Sequence, residues 1–314
     1  MIQISVIVCT YNRADMLANA LESLLQQTLA KDLFEIIVVD NASTDTTPAV
    51  VKSFQANHPE HNIGLMREDC LGLGYARNAG FRRAQGEYVA FMDDDAQASQ
   101  DWLETALSCF QEIQPPPFAI GGKILPIYNS PKPKWFKDEW ETRTWGEQPR
   151  LLRKGESFSG SNMIFKKEVL QAYGGFDTRV GVKGVYLSVG EETGLFQRIW
   201  QEEGAACFYY SPRLVVYHAV PHYKMTVSYS LKRAFVTGQV CLVQNPPDSM
   251  VKRLELLVRI VVSVAVYTLL ALIPRREYWA LPYWAVTCLT PIAAEIGRFV
   301  GCIGLFIQVR QENR

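Results

Sequence analysis

The sequence lacks an excess of charge of either sign, since 32 lysine and arginine residues balance 32 aspartate and glutamate residues among its 314 positions. Proteins that hold nucleic acid by bulk charge carry a basic excess, so this balance argues against a nucleic-acid partner. The sequence also lacks regularly spaced cysteines: there are seven, and no two form a C-x-x-C pair. We therefore expect no disulfide framework, and a reducing compartment.

The beginning of the chain lacks the features of a secretory signal. Residues 2–9 form an alternating apolar run, with no basic segment before it and no small-residue cleavage site after it. We therefore expect the N-terminal part to stay in the cytosol. The chain is 48% hydrophobic and 20% charged, which suits a sizeable core. Its length suits one large α/β domain with an appendage.

Short apolar runs alternate with helical patterns over the first part of the chain. The predicted strands are residues 4–9, 34–39, 63–67 and 88–92, and the predicted helices are residues 14–26, a segment ending at residue 54, and residues 74–84. This alternation predicts an α/β fold with a mostly parallel sheet and right-handed crossovers.

Three of the predicted strands end in polar or acidic residues, namely Thr10-Tyr11-Asn12, Asp40-Asn41 and Asp93-Asp94-Asp95. Ligands of parallel sheets bind beyond the carboxyl ends of the strands, so we expect these side chains to share one rim. Adjacent carboxylates repel one another, and a hard divalent cation such as Mg²⁺ or Mn²⁺ would offset that repulsion. The alternative for the three aspartates is a solvated acidic turn.

Six groups of residues resemble, in order and spacing, the signature of the family 2 inverting glycosyltransferases. They are Thr10-Tyr11-Asn12, the segment 38–45 around Asp40, the segment 76–80 around Arg77, the segment 86–95, Gly174-Gly175-Phe176-Asp177, and Gly190-Glu191-Glu192-Thr193. The resemblance covers roughly residues 1–240. It implies a GT-A fold, in which a Rossmann-like sheet flanked by helices binds the nucleotide and is joined to an acceptor half.

The resemblance also implies a nucleotide-sugar donor, a UDP-sugar first of all, and Mn²⁺ or Mg²⁺ as cofactor. Its functional positions fall on seven residues of this chain: Thr10, Tyr11 and Asp40 for the uridine, Arg77 near the nucleotide, Asp93 and Asp94 for ribose or metal, and Asp95 as the direct metal ligand. The alternatives are that Asp40 is a turn residue, which is common after a strand, and that Arg77 forms a helix-surface ion pair.

Glu191 and Glu192 are the candidate catalytic base. Inversion requires the acceptor hydroxyl to lose its proton as it attacks the anomeric carbon, and a nearby carboxylate can accept that proton. The family pattern has Glu-Asp here, so Glu-Glu departs from it by one methylene. Ser188 and Glu191 fit a capping box, which predicts a structural Glu191 and a catalytic Glu192. The alternative is that both acids serve only the helix dipole.

His218 follows a predicted strand and is a candidate metal ligand, because related enzymes can have a histidine near this place and imidazole suits Mn²⁺. A hydrogen-bonded core histidine is the alternative. The segment 126–155 has no clear period and predicts a long insertion over the site. Its aromatic residues could stack on an acceptor sugar, lie at a membrane surface or pack in a core; they are Trp135, Phe136, Trp140 and Trp145.

Two apolar stretches, residues 254–273 and 278–309, close the sequence. Their length suits membrane helices, although the second contains Glu295 and Arg298, which could pair on one helix face. Basic residues before, between and after the stretches do not all fit one side if each stretch spans once, so a re-entrant or interfacial hairpin is an open alternative. A second alternative is a pair of soluble helices that cover the sheet.

These observations predict a GT-A catalytic domain over residues 1–245, on the cytoplasmic side, and a membrane-associated helical segment over residues 246–314. The predicted activity is inverting transfer of a sugar from a nucleotide-sugar to a saccharide or lipid-linked acceptor. One alternative is transfer to a polyprenyl phosphate, whose anionic oxygen needs no strong base. The other is a non-catalytic membrane protein that binds a nucleotide-sugar.

Overall fold

The computed structural model describes residues 1–184, 186–203, 207–244, 247–273 and 280–310. Some of the sequence-based expectations lie outside the described residues, namely the domain boundary at 245 and 246 and the start of the second apolar stretch at 278.

The chain divides into two compact units. The first, called the sheet unit, consists of Met1–Ile127, Glu141–Thr178 and Glu191–Ala219. The second, called the helical unit, consists of Tyr128–Trp140, Arg179–Gly190 and Val220–Arg314.

The strands follow one another along the chain as β1 (Ile4–Thr10), β2 (Phe34–Asp40), β3 (Ile63–Arg67), β4 (Tyr88–Asp93), β5 (Ala96–Ala98), β6 (Ala119–Ile127), β7 (Arg150–Leu151), β8 (Met163–Lys166), β9 (Tyr186–Leu187), β10 (Phe208–Ala219) and β11 (Val309–Arg310). The helices are α1 (Ala14–Leu25), α2 (Thr47–Asn57), α3 (Leu73–Arg83), α4 (Trp102–Glu112), α5 (Lys167–Ala172), α6 (Glu191–Glu203), α7 (Val227–Gln244), α8 (Met250–Ala271) and α9 (Leu281–Cys302).

The sheet unit contains one large sheet with the strand order β3-β2-β1-β4-β8-β6-β10-β5, and β7 also pairs with β10. Strands β1 to β4 are mutually parallel, β8 runs antiparallel to its neighbours β4 and β6, and β10 runs parallel to β6. The register places Thr10 beside Asp40 and Cys9 beside Asp93. The expected α/β architecture with a mostly parallel sheet is confirmed, and the polar strand ends meet at one edge.

Both faces of this sheet are buried, as the near-continuous apolar runs of its parallel strands require. In β1, Ile4, Val6 and Val8 pack on the core that contains α1 and α4, whereas Ile7 packs on the core that contains α3 and α6. The apolar face of α1 shows the period expected of a helix on a sheet, since Leu17, Ala20, Leu21 and Leu24 are all buried. The two cores hold the rim of strand ends in a fixed frame.

The helical unit is built around α7, α8 and α9. A side chain on Gly238 would meet the backbone of Ala294, and one on Gly297 would meet the backbone of Phe235, so α7 and α9 approach closely because these residues are glycine. The expected ion pair between Glu295 and Arg298 is present. Both α8 and α9 are long and apolar enough to cross a membrane.

The segment 126–155 contains more regular structure than its composition suggested. Strand β6 extends to Ile127, a short 3-10 helix covers Asp138–Trp140, and β7 pairs with β10. Phe136 is buried in a cluster with Val220 and Met225, and Trp135 and Trp140 pack against that cluster. Packing of aromatic side chains therefore orders part of this segment, although the sequence has no hydrophobic period that would predict regular structure there.

Candidate active site

The rim of the sheet unit begins with two loops that are locked to each other. The backbone N–H of Asn12 donates to the Ser43 hydroxyl at 2.9 Å, and the Asn12 side-chain oxygen accepts from the Thr44 N–H at 2.7 Å. Asn12 and Ala42 both have positive φ angles, which these bonds help to maintain. The ends of β1 and β2 therefore form a rigid edge that holds Thr10, Tyr11 and Asp40.

Asp40 is buried and has both of its oxygens engaged. One accepts from the Ser43 N–H at 2.9 Å, and the other lies 3.2 Å from the Arg67 guanidinium. The first contact is the turn that sequence reasoning gave as the alternative role of Asp40. Arg67 was missed at the sequence level, although the register of β2 and β3 places it directly beside Asp40.

Arg77 lies at the centre of the rim, and its side chain is only 2% exposed. Its guanidinium is 3.2 Å from Asp93, 3.2 Å from Glu191 and 3.2 Å from Glu192. Burial acts to lower the pKa of Arg77, but the surrounding carboxylates outweigh it and raise the pKa above its usual value. Arg77 is therefore a permanent buried cation that joins the aspartates after β4 to the glutamates of α6, rather than a surface residue.

Asp93, Asp95 and His218 place one ligand atom each within 4.8 Å of one another. His218 Nε2 lies 3.1 Å from an Asp95 oxygen and 4.0 Å from an Asp93 oxygen. The Ser161 hydroxyl donates to the same Asp93 oxygen. The residues that were expected to bind a metal therefore come together. Carboxylate oxygens suit both Mn²⁺ and Mg²⁺, and Mn²⁺ also accepts an imidazole.

His218 was expected just past a strand, and that position is wrong. Strand β10 continues to Ala219, because it pairs with β5 on one side and β6 on the other. His218 stands opposite Ala96 in β5, two residues after Asp94. Pairing across the sheet, which the local sequence does not reveal, therefore brings His218 to the aspartates.

Arg13 is a functional candidate that sequence reasoning missed. One of its guanidinium nitrogens lies 2.8 Å from Asp94 and 3.0 Å from Asp95. Burial raises the pKa of Asp94, and Arg13 opposes that rise. The signal was available, since a basic residue directly follows the polar end of β1 and that end adjoins β4. The repulsion among the three aspartates is thus offset by two arginines: Arg13 contacts Asp94 and Asp95, and Arg77 contacts Asp93.

Glu191 and Glu192 differ in their surroundings although they are adjacent. The Glu191 side chain is 3% exposed and that of Glu192 is 20% exposed. Burial and the neighbouring Glu192 raise the pKa of Glu191 to about 8, in spite of Arg77. Glu191 is therefore a buried acid, whereas Glu192 is open to an incoming molecule.

The expected capping box at the start of α6 is absent. Helix α6 begins at Glu191, so Gly190, with a φ of 103°, precedes it and Ser188 lies too early to cap it. The Ser188 hydroxyl has no hydrogen-bond partner among the described residues. Glu191 has its structural contact with Arg77 instead, which no local pattern could indicate because 114 positions separate the two.

Gly160 shows how tightly the centre of the rim is packed. A side chain at this position would collide with the Arg77 guanidinium and with the Glu192 carboxylate. Its neighbour Asn162 is buried and donates to the backbone oxygens of Lys123 and Leu214, which fixes the loop. The loop thus leaves space for the two charged groups and presents Ser161 to Asp93.

Comparison with known proteins agrees with this geometry. The fold is similar to that of the mannosyltransferase PcManGT from Pyrobaculum calidifontis, solved with GDP-Man and Mn²⁺, with a TM-score of 0.62 and 21% identity over 95% of this chain and 87% of that one. It is also similar to residues 1–349 of TarS from S. aureus in complex with UDP, with a TM-score of 0.56 and 17% identity over 97% and 93% of the two chains. The architecture is the GT-A fold of glycosyltransferases.

The sequence comparisons define the family. The model of glycosyl transferase family 2 matches residues 5–174, more than half of the chain, and the chain belongs to this family. It is 29% identical over 244 residues to the glucosyl-dolichyl phosphate glucuronosyltransferase of Haloferax volcanii, covering 75% of each protein. It is 26% identical to the succinoglycan biosynthesis protein ExoM of Rhizobium meliloti, covering 76% of this chain and 74% of that protein.

Proposed function

We propose that this protein transfers a sugar, with inversion, from a UDP-sugar to a lipid-linked saccharide, using Mn²⁺ or Mg²⁺. One observation carries the proposal: Arg77 joins a metal-type ligand set to an accessible carboxylate, with all contacts at 3.2 Å. The first group is suited to a diphosphate and the second to an acceptor hydroxyl. Inverting transfer needs these two functions on one rim.

Glu192 is the proposed catalytic base, because it is the more exposed of the two glutamates. Its carboxylate takes the proton of the acceptor hydroxyl while that oxygen forms a bond to the anomeric carbon. The bond from the anomeric carbon to the diphosphate oxygen breaks on the opposite face, and the diphosphate leaves with the electron pair. Arg77 lies 3.2 Å from Glu192 and holds it in place.

Asp93, Asp95 and His218 are the residues that would hold the metal ion, and their spacing suits one ion. A bound divalent cation would stabilise the negative charge that grows on the leaving diphosphate. Asp94 is held by Arg13, which fixes the loop after β4 against the end of β1. We assign Asp94, with Asp93, to the support of the ribose or the metal.

Thr10, Tyr11 and Asp40 are the proposed nucleoside contacts. Thr10 and Asp40 are buried side by side at the ends of β1 and β2, and Tyr11 is partly exposed next to them. A carboxylate at this place can accept a hydrogen bond from an N–H of the base, and an aromatic ring can stack on the base. The UDP in the related TarS structure supports uracil as the base, and the GDP-Man of PcManGT makes guanine the alternative to exclude.

The acceptor is proposed from two kinds of support. The relative from Haloferax volcanii is named for action on glucosyl-dolichyl phosphate, a sugar on a lipid carrier. The helical unit exposes apolar side chains on α8 and α9, which suits a protein that works at a membrane. We propose that the sheet unit faces the cytoplasm, where nucleotide-sugars are available.

The test uses the purified full chain with UDP- and GDP-sugars, with added Mn²⁺ or Mg²⁺ and with chelator, and with a short lipid-linked saccharide. We expect binding of UDP that depends on the cation, and a product whose anomeric configuration, measured by NMR coupling constants, is opposite to that of the donor. Retained configuration would contradict the mechanism. A preference for GDP would contradict the donor. If Glu192→Gln leaves transfer to a polyprenyl phosphate intact, the acceptor is that phosphate instead.

A further inference from the structure

The outward face of α8 is apolar, and nothing in the described part of the chain covers it. Its exposed residues lie on one side of the helix and include Val258, Val261, Val262, Val266 and Leu269, which are 46–65% exposed. In the most apolar 18-residue stretch of α8 only 11% of the residues are buried, compared with 39% in the corresponding stretch of α9. A continuous apolar face of this kind marks an interaction surface.

Helices α8 and α9 are each long and apolar enough as a whole to cross a bilayer, but the uncharged part of each helix is too short to do so. Lys252, Arg253, Glu255 and Arg259 occupy the first half of α8, and residues 260–271 carry no charge, a length of about 18 Å at ~1.5 Å per residue. In α9 the uncharged residues 281–294 precede Glu295 and cover about 21 Å. A hydrocarbon core is ~30 Å thick, and uncharged segments of this size are typical of interfacial or re-entrant helices.

The two helices form an antiparallel hairpin. At one end the Trp284 indole N–H donates to the Ala271 carbonyl oxygen at 3.1 Å, which joins the end of α8 to the start of α9. At the other end the Cys302 sulfur lies 3.9 Å from the Arg253 carbonyl oxygen. The first of these ends is called the hairpin tip, and a spanning hairpin would place it across the membrane from its other end.

The hairpin tip is held by a short segment that both leaves and rejoins the sheet unit. Trp140 stacks on Tyr283 in the first turn of α9, with ring centroids 5.8 Å apart, and the Lys137 amine lies 5.6 Å from the same ring. These residues belong to Tyr128–Trp140. Because both ends of the segment continue into the sheet unit, no residue in it is more than about half its length from one of those ends. Half of the segment, fully extended, reaches about 23 Å at ~3.5 Å per residue, which is less than the thickness of a bilayer. This segment is therefore too short to carry the tip across a bilayer from the residues that flank it in the chain.

The other end of the hairpin is held by α7. Gly297 and Gly301 in α9 lie against the backbone of α7 at Phe235 and Gln239. Helix α7 carries Lys232 and Arg233 and, unlike α8 and α9, does not meet the length and apolarity of a membrane span in the described part of the chain. Both ends of the hairpin are therefore tied to the same side.

We propose that α8 and α9 lie in the plane of the membrane surface, with the outward face of α8 in a single leaflet that contains anionic phospholipid. This inference rests on the membrane association proposed above. At one end of α8, Lys252 is paired with Asp248, and Lys252, Arg253 and Arg259 together exceed Asp248 and Glu255 by one positive charge, which suits anionic headgroups. Trp140 and Tyr283 at the tip are the side chains that favour the interface between water and lipid.

The test uses the full chain in inverted membrane vesicles from a bacterial expression host. Ala280→Cys places a thiol at the hairpin tip, and Glu60→Cys places a thiol on the exposed surface of the sheet unit as the orientation control. A membrane-impermeant maleimide is added to sealed vesicles, and peptide mass spectrometry reads the label at each introduced site. We expect both sites to be labelled to within twofold, with no large gain on adding detergent. Labelling of position 280 only after detergent, with position 60 labelled throughout, points to a spanning hairpin.

A depth measurement decides the case in which lipid headgroups shield position 280. Spin labels at Val258, Val262 and Leu269 sample the outward face of α8 along its length. In vesicles of phosphatidylcholine and phosphatidylglycerol we expect the three positions to have similar depths. A steady change of depth along the helix overturns the proposal. If the protein does not sediment with these vesicles at all, the proposed membrane association fails as well, which is a separate result from a hairpin that binds but spans.

Discussion

The sheet unit holds charged side chains in its interior, whereas the helical unit holds apolar side chains at its surface. Arg77 and Glu191 are each almost fully buried at the sheet rim, while Val262 and Leu269 in α8 are more than half exposed. Folded chains avoid both arrangements unless something offsets the cost. In the sheet unit the charges offset one another, and in the helical unit the proposed membrane would cover the apolar face.

The two units differ in the kind of ligand that each can bind. In the sheet unit the buried charges already have partners, which keeps their side chains fixed. Glu192 and the candidate metal ligands can therefore bind substrate and metal without rearrangement. Among the described residues of the helical unit, the outward face of α8 has no comparable cover, and the proposed membrane would supply it. Substitutions that remove one charge from the buried network, or that add a charge to the apolar face of α8, should therefore have large effects.

The largest effect is expected for Glu192→Gln. The amide keeps the shape of the side chain but cannot accept a proton, so transfer should fall by ~10²–10⁴-fold while nucleotide binding is retained. Glu202→Gln, an exposed change on the same helix, is the matched control and should leave turnover unchanged. Steady-state kinetics with a soluble acceptor analogue measures both. Full activity of the Glu192 variant would remove this residue from the proposed mechanism.

Arg77→Met tests whether the buried charges of the sheet unit depend on one another. Three carboxylates would lose their shared cation, and removal of one partner from a buried charge network costs ~3–5 kcal/mol. Arg67→Met removes a cation from Asp40, but the Arg67 side chain is 52% exposed, so the loss of stability should be much smaller. Urea unfolding of both variants gives the comparison. Equal losses of stability would show that Arg77 is not the centre of the network.

The sequence predicted this network only in part. The strand ends carrying Thr10, Asp40 and Asp93 were predictable, because parallel strands of known period bring their ends to one edge. The pairing of Arg77 with Glu191 was not, since it joins residues far apart in the chain and depends on how α3 and α6 are placed. The capping box was wrong for the same reason: a tertiary contact of Glu191 outweighed a local pattern.

The fold was predictable where the hydrophobic period was strong. Strands β1 to β4 and helices α1 and α3 begin and end within two residues of their predicted limits. The strands after residue 118 were not predicted in detail, because β8 and β7 are short and their pairing with distant strands sets their limits. Charge spacing in α8 and α9 was visible in the sequence, but the contact of Trp140 with Tyr283 was not.

Val262→Glu tests whether the apolar outward face of α8 in the helical unit enters lipid. A charge in the middle of the outward face of α8 should weaken binding to vesicles by roughly tenfold or more, since burial of a charged side chain in lipid costs ~2.5–3.5 kcal/mol at the centre and less near the surface. Ala49→Glu adds the same charge to the exposed surface of α2 and should not change binding. Sedimentation with vesicles at low and high salt measures both. Unchanged binding of the Val262 variant would show that this face does not enter lipid.

The smallest effect, when expressed per pH unit, is expected for the pH dependence of stability in Glu191→Gln. Burial raises the pKa of Glu191 to about 8 in the folded chain, above the value near 4.5 of an exposed glutamate. Between these two values the folded state binds more protons than the unfolded state, so stability falls as pH rises. One such group contributes at most about 1.4 kcal/mol per pH unit, and Arg77 reduces the contribution.

Glutamine cannot ionise, so Glu191→Gln should flatten the decline between about pH 5 and pH 8 and should be relatively more stable at the upper end. Urea unfolding of both proteins at pH 5.5 and pH 8 measures the difference, with Glu202→Gln as the control that keeps the slope of the parent. Equal slopes for the parent and Glu191→Gln would mean that Arg77 keeps Glu191 ionised throughout this range, and the buried network would then contain no neutral acid.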